Sequence, residues 1–383
     1  MKFEKLKIFT AAVALTGATM GQVLAAEVKL PATIAWSAYN TGTTGYNQAV
    51  AIGKALKDKY GVSLRVIPGK NDISRLTPLK KGKVQFVANG GATYFASEGI
   101  SLFAAREWGP MKLRLLISAA SDANLQVGTA KDANIKTYAD LKGKRVAYVI
   151  GSDALNIGVE AILAFANLTW DDVKKVEFPG YGASWKGMVS GQVDAAFAST
   201  VSGPTRKLEA SPRGIYWPAM PLSDTEGWAR LKKVAPYILP HTATIGSGNI
   251  SKETPLEGAG YPYPILITMA DQDPELVYSM TKAINVTYPD YKDAMAALTG
   301  WATERQSFKW AVPHAPAAIK YWKEIGVWTE DMQKNNDALI KRQDVLAAAW
   351  ATMKGKNIAD DDAYKAEWLK VRKAALMAAG MNP

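Results

Sequence analysis

Tyr39 to Asn47 reads YNTGTTGYN, and a run of apolar residues at helical spacing follows at once. Gly42 and Gly45 let a backbone come close to a bound group, while Thr41, Thr43 and Thr44 offer hydroxyls. The free amides at the start of the following helix favour negative charge. A phosphate loop needs a lysine after its second glycine, but Tyr46 stands there, and the dinucleotide fingerprint G-x-G-x-x-G is not matched either. Nucleotide binding is therefore disfavoured and a small carboxylate fits better. The competing reading is a strand–helix turn whose hydroxyls satisfy its own backbone.

Three further loops repeat this chemistry. ANGGATYF places Asn89, Gly90 and Gly91 ahead of Tyr94. IGSDALN places Ser152 before a helix that Ser152 or Asp153 can cap, and ASTVSGP brings Ser199, Thr200 and Ser202. Singly, such residues are more often caps than ligand contacts. Four loops of one kind at strand ends point to a cleft with small donors and few fixed charges. Trp36, Trp185, Tyr39, Tyr46, Tyr94 and Tyr181 fall near these loops; core packing is their default role, but together they could wall a pocket for a ligand's carbon body.

Catalysis finds little support. There is no cysteine, which removes thiolate nucleophiles, zinc–thiolate sites and disulfides. The two histidines, His241 and His314, are too few for a histidine metal site and sit where a structural or exposed role is expected. No acidic cluster has metal-loop spacing, so neither metal nor cofactor is expected. The formal charge is +11, but the densest basic cluster, Lys80, Lys81 and Lys83, is too small to track a nucleic-acid backbone. A positive field still attracts anions.

These loops need strands to carry them, and the chain alternates short β-type runs with helical patterns, the mark of an α/β fold. TIAWSAY, SLRVIP and VQFVA form one β-α-β-α-β unit, with Asp72 expected to cap its second helix and Pro78 to kink or shorten it. KRVAYVI, VKKVEF and DAAFAS form a second unit. The loops of each unit should open on one edge of a parallel sheet. Lys2, Lys5 and Lys7, an apolar stretch and VLA read as a secretory signal over 1–25. Lobe 1 is expected over 26–120 and lobe 2 over 121–240. A Pro- and Gly-rich return with the rest of lobe 1 covers 241–328, and a charged helical extension 329–383.

In order, TGTTGYNQAVAIGKAL, ISRLTPLKKGKVQFVANGGATYFASEG, YADLKGKRVAYVIGSDA, YGASWKGMVSGQVDAAFASTVSGP, PILITMADQDPELVYSMTKAI and PHAPAAIKYWKEIGVW resemble the TAXI solute receptors of TRAP transporters, from Ala32 to about Trp328. The resemblance implies a type II periplasmic-binding-protein fold, two α/β lobes closing on a ligand cleft, without catalysis or use of ATP. It implies delivery of a small organic anion, such as an amino acid, a 2-oxo acid or a dicarboxylate, to TRAP membrane subunits driven by an ion gradient. It carries the site onto Gly42, Thr43, Thr44, Gly45, Tyr46, Asn89, Tyr94, Ser152, Ser199 and Ser202. Tyr39, Arg75, Gly90 and Trp185 complete the candidate set. Gly90 and Gly91 replace polar residues usual in the family and are expected to enlarge the pocket. Asp153-Ala154 replaces a common Gly-Thr. Arg75 replaces an expected Asn, and either supplies a cation or faces solvent. A periplasmic ligand sensor on the same fold is the alternative, and a secreted enzyme a third reading. The extension is expected to brace one lobe or serve as a docking surface.

Overall fold

A computed structural model describes residues 27–383, so the expected signal segment lies outside the described residues. The chain opens with β1 (Thr33–Ala38), α1 (Thr44–Tyr60), β2 (Ser63–Pro68), α2 (Asp72–Lys80), β3 (Phe86–Asn89), α3 (Ala92–Glu98) and β4 (Leu113–Ser118). It then crosses into β5 (Leu125–Ala130), β6 (Arg145–Val149), α4 (Asp153–Phe165), β7 (Lys174–Phe178), α5 (Tyr181–Val189), β8 (Ala195–Ser199), α6 (Gly203–Glu209), β9 (Ile215–Tyr216) and α7 (Thr225–Val234). The return carries β10 (Leu239–Ala243), β11 (Leu256–Gly260) and β12 (Ile265–Met269). Five helices follow: α8 (Pro274–Val286), α9 (Tyr288–Tyr291), α10 (Pro316–Glu324), α11 (Glu330–Met353) and α12 (Asp361–Ala378).

The two large sheets repeat one plan, β2-β1-β3-β12-β4 and β7-β6-β8-β5-β9. Each has three parallel strands from its β-α-β-α-β unit, then a strand that has crossed from the other lobe and runs antiparallel. The sheets are thus mixed rather than parallel, because the crossing strand enters from the opposite direction. The two crossings touch: Tyr263 N–H donates to Ala119 O (2.6 Å) and Ala119 N–H to Pro264 O (2.9 Å). Two α/β lobes on paired crossovers, with a C-terminal helical extension, make the type II periplasmic-binding-protein architecture. The Pro- and Gly-rich return also contains an antiparallel ribbon of β10 and β11.

Local chemistry sets the helix ends. Gly61 closes α1 in the left-handed region (φ 70°) and donates back to Leu56 and Lys57 carbonyls. Asn71, not Asp72, caps α2: its Oδ1 accepts from Ser74 N–H (2.8 Å), and Ser74 Oγ accepts from Asn71 N–H (3.0 Å). With that role filled one residue earlier, Asp72 turns into the seam between the lobes. α2 ends two residues after Pro78. Neither Ser152 nor Asp153 caps α4 with its side chain.

One hydrophobic cluster runs through both lobes, joining Val87 and Leu115 to Val127, Val146 and Phe197. A second lies under α1, α8 and α10, and a third on the other face of the lobe 2 sheet. The extension builds its own core from Leu346, Met353, Trp368 and Leu376 against Ala104. No helix among the described residues is long and apolar enough to cross a membrane.

Candidate functional site

The carboxyl ends of the two sheets face each other, and the lobes are closed. Asp72 and Ile73 N–H donate to Gly151 O (3.1 and 3.4 Å), and Tyr181 N–H donates to Lys70 O (3.2 Å). Two carboxylates cross the seam in opposite directions. Asp72 Oδ2 of lobe 1 accepts from Ala154 N–H (2.8 Å), and Asp153 Oδ2 of lobe 2 accepts from Leu102 N–H (2.6 Å).

Behind this seam lies a pocket with a free interior of about 50 Å³, where a single water needs roughly 10–15 Å³. Lobe 1 lines it with Tyr39, Asn40, Thr43, Lys70, Asp72, Arg75 and Gly91. Lobe 2 contributes Leu125, Ser152, Leu155, Tyr181, Phe197, Ser199 and Ser202 among others, and the return contributes Tyr261 and Tyr263.

Arg75 is buried, not solvent-facing. Nη2 pairs with Asp72 Oδ1, Nε donates to Asn89 Oδ1 (3.3 Å), and the guanidinium lies 4.1 Å from the centre of the Tyr39 ring. Cation–π contact and ion pair together fix its direction. Burial pushes the phenols of Tyr39, Tyr181 and Tyr261 above the usual range, and Tyr263 up to about 12, so all four keep their protons at neutral pH. Tyr181 Oη and Ser202 Oγ share a hydrogen bond (3.0 Å). Ser152, 1% exposed, has no hydrogen-bond partner for Oγ among the described residues. A buried hydroxyl left in that condition is costly unless something else satisfies it.

Of the residues singled out in the sequence for the cleft, Tyr39, Thr43, Arg75, Gly91, Ser152, Tyr181, Ser199 and Ser202 line the pocket. The others stand outside its lining. Gly42 turns the chain (φ 81°), and its carbonyl abuts Gly203 across the seam. A Cβ at Gly45 would run into the Tyr39 ring, so this glycine makes room for that tyrosine. The same holds at Gly90, where a Cβ would come within 2.8 Å of the Tyr39 hydroxyl and 3.0 Å of Tyr263 Cδ2. At Gly90 the expected enlargement of the pocket is therefore corrected, because rings occupy the space, whereas Gly91 lines the pocket. Thr44 is buried at the start of α1, Asn89 is covered and holds Arg75, and Tyr46 packs on the lobe 1 core. Tyr94 leans on Phe95 and Tyr237. Trp185 lies in the lobe 2 core and donates to Phe197 O (3.3 Å). His314 is buried, its imidazole pushed down to about 3 by burial, and His241 hydrogen-bonds Asn124; neither lines the pocket.

Sequence reasoning missed Lys70, Asp72, Tyr261 and Tyr263 as lining residues. The signal for the tyrosines was the YPYP run next to the return crossing. Asp72 was hidden by its resemblance to a cap.

Burial, and then the nearness of Asp72, push the Asp153 carboxyl up to about 7, although the Leu102 amide opposes this. Lys365 lines the same outer groove. Between the ordinary carboxylate range and about 7 the folded chain holds a proton that the unfolded chain has lost, so this group's contribution to stability falls as pH rises. Asp153→Asn keeps an oxygen for Leu102 and cannot ionise. Melting curves from pH 4 to 8 should show the variant gaining on the wild type by a few degrees as pH rises; a constant difference would contradict the reading.

Many solved structures are similar in fold, and three of them illustrate the likeness. The alkanesulfonate-binding protein SsuA from Xanthomonas axonopodis pv. citri, bound to MOPS, is 15% identical over 82% of this chain and 85% of its own, with a TM-score of 0.44. The aliphatic sulphonate binding protein SsuA from Escherichia coli is 15% identical over 82% and 88%, with a TM-score of 0.41. An amino acid ABC transporter substrate-binding protein from Streptococcus pneumoniae, bound to L-arginine, is 14% identical over 72% and 94%, with a TM-score of 0.40. A family model matches residues 38–326, from the end of β1 to just after α10, a span that takes in both lobes and every residue lining the pocket: the chain belongs to the NMT1-like family.

Proposed function

We propose that this chain captures a small carboxylate in the periplasm by closing its lobes, and hands it to the membrane subunits of a TRAP-type secondary transporter of the TAXI kind. The observation that carries this reading is the enclosed pocket at the seam, where Thr43 and Arg75 from one lobe meet Ser152, Ser199 and Ser202 from the other. A ligand shifts the balance between open and closed forms only by its differential affinity, and contacts drawn from both lobes exist together only when they close. The order of motifs from Ala32 to Trp328 supports the TAXI assignment, and the hydroxyls and the two cations of the lining support a small acid as ligand over a nucleotide. Binding without turnover is the reading that the resemblance to solute receptors supports.

The test begins with a thermal-shift screen of amino acids, 2-oxo acids and dicarboxylates, because a ligand above its dissociation constant raises the melting temperature. With the best ligand, Ser152→Ala should weaken calorimetric affinity by roughly tenfold or more, the worth of a hydrogen bond to a charged group, with the melting temperature of the free protein held. Uptake by cells should fall in parallel and stop when the sodium gradient collapses. Unchanged affinity would refute the site, and uptake that follows ATP would refute the transporter class.

A further inference from the structure

The charged groups of the pocket are unequally committed. Asp72 is the one carboxylate in the lining, and it is 0% exposed. Both of its oxygens are engaged, Oδ1 with Arg75 and Oδ2 with the Ala154 amide of the opposite lobe. Two cations line the same space. Arg75 uses Nη2 and Nε, and Nη1 makes no hydrogen bond among the described residues. Lys70 has no ion-pair partner among the described residues and reaches the pocket from the rim.

Closing the lobes removes water, so charge matching inside weighs more than it would in solution. A ligand ammonium would enter beside Arg75 and Lys70, and the carboxylate it needs already serves the seam. A second ligand carboxylate would exceed the single positive charge left over by the Asp72–Arg75 pair. A single negative charge balances the site. The remaining lining offers the unpartnered Ser152 hydroxyl and Ser199 for a neutral oxygen, and Leu125, Leu155 and Phe197 for a short carbon body. The small interior leaves no room for a long one.

Resting on the reading of the chain as a receptor for small acids, we infer that its ligand is a short monocarboxylate without an ammonium group, of the 2-oxo or 2-hydroxy acid class. Three probes separate the possibilities by calorimetry on the full chain: 2-oxobutyrate and L-2-aminobutyrate, matched in size and differing at the second carbon, and 2-oxoglutarate, one carbon longer and bearing a second carboxylate. 2-Oxobutyrate should bind at least tenfold more tightly than either of the others. Lys70→Gln should cut its affinity more than that of the amino acid. L-2-Aminobutyrate or 2-oxoglutarate binding as tightly as 2-oxobutyrate, or an equal loss for both ligands in Lys70→Gln, overturns the inference and leaves the receptor reading standing. Heat from none of the three overturns both.

Discussion

Glu98→Ala should lower the stability of the chain by about 3–5 kcal/mol, the range for breaking a buried ion pair by removing one partner. Glu98 ends α3 and is 5% exposed. Its carboxylate is held by two guanidinium groups of the extension. Arg342 of α11 donates through Nε and Nη2 (2.7 and 2.8 Å), and Arg372 of α12 pairs through Nη2 and also donates from Nε to Glu98 O (3.1 Å). The alanine variant leaves two cations in a largely covered space with one carbonyl between them. The effect extends beyond the pair, because Trp368 Nε1 donates to Gly99 O, which fixes the segment leading to Leu102 and its bond with Asp153. The extension thus braces lobe 1 on the side where the seam closes. Urea unfolding followed by tryptophan fluorescence measures the loss, and Glu98→Gln should recover part of it. A change under about 1 kcal/mol, the range for an exposed pair, would mean the extension is not held through this carboxylate.

The contrast between Glu98 and the strands shows what could be read in advance. TIAWSAY, SLRVIP and KRVAYVI announce themselves because a strand's apolar run and its flanking turn are local features. The same is true of α1, whose buried Ala49, Ile52 and Leu56 recur at helical spacing. Pairing of charges across long separations leaves no such trace: Glu98 lies 244 residues from Arg342 and 274 from Arg372. The pocket divides in the same way. Thr43, Ser152, Ser199 and Ser202 were legible as polar residues at strand ends, since strand-end loops of two such sheets converge by topology alone. Gly45 and Gly90 were misread because a glycine reports that something comes close without saying what. Here Tyr39 and Tyr263 come close. Arg75 was undecided between cation and surface because its partners, Asp72, Asn89 and the face of Tyr39, assemble only when α2 packs beside β1 and β3.

Arg75→Met carries the second large effect, on stability and binding at once. Removing the guanidinium leaves Asp72 fully buried with the Ala154 amide as its remaining partner, and an uncompensated buried charge costs about 3–5 kcal/mol. It also removes a cation from the pocket, so affinity for a small acid should fall by at least about a hundredfold, as for a charge-assisted hydrogen bond of some 3 kcal/mol. The two losses separate in the double variant Arg75→Met with Asp72→Asn. The neutral amide oxygen still accepts from Ala154, so denaturant curves should recover most of the stability. The pocket has no guanidinium in either case, so calorimetry should find the affinity still lost. If stability and affinity recover together, Arg75 acts only by holding the seam and the ligand does not depend on its charge. If neither recovers, the pair is replaceable in neither role, and Asp72 contributes to the seam through its own charge rather than through its geometry.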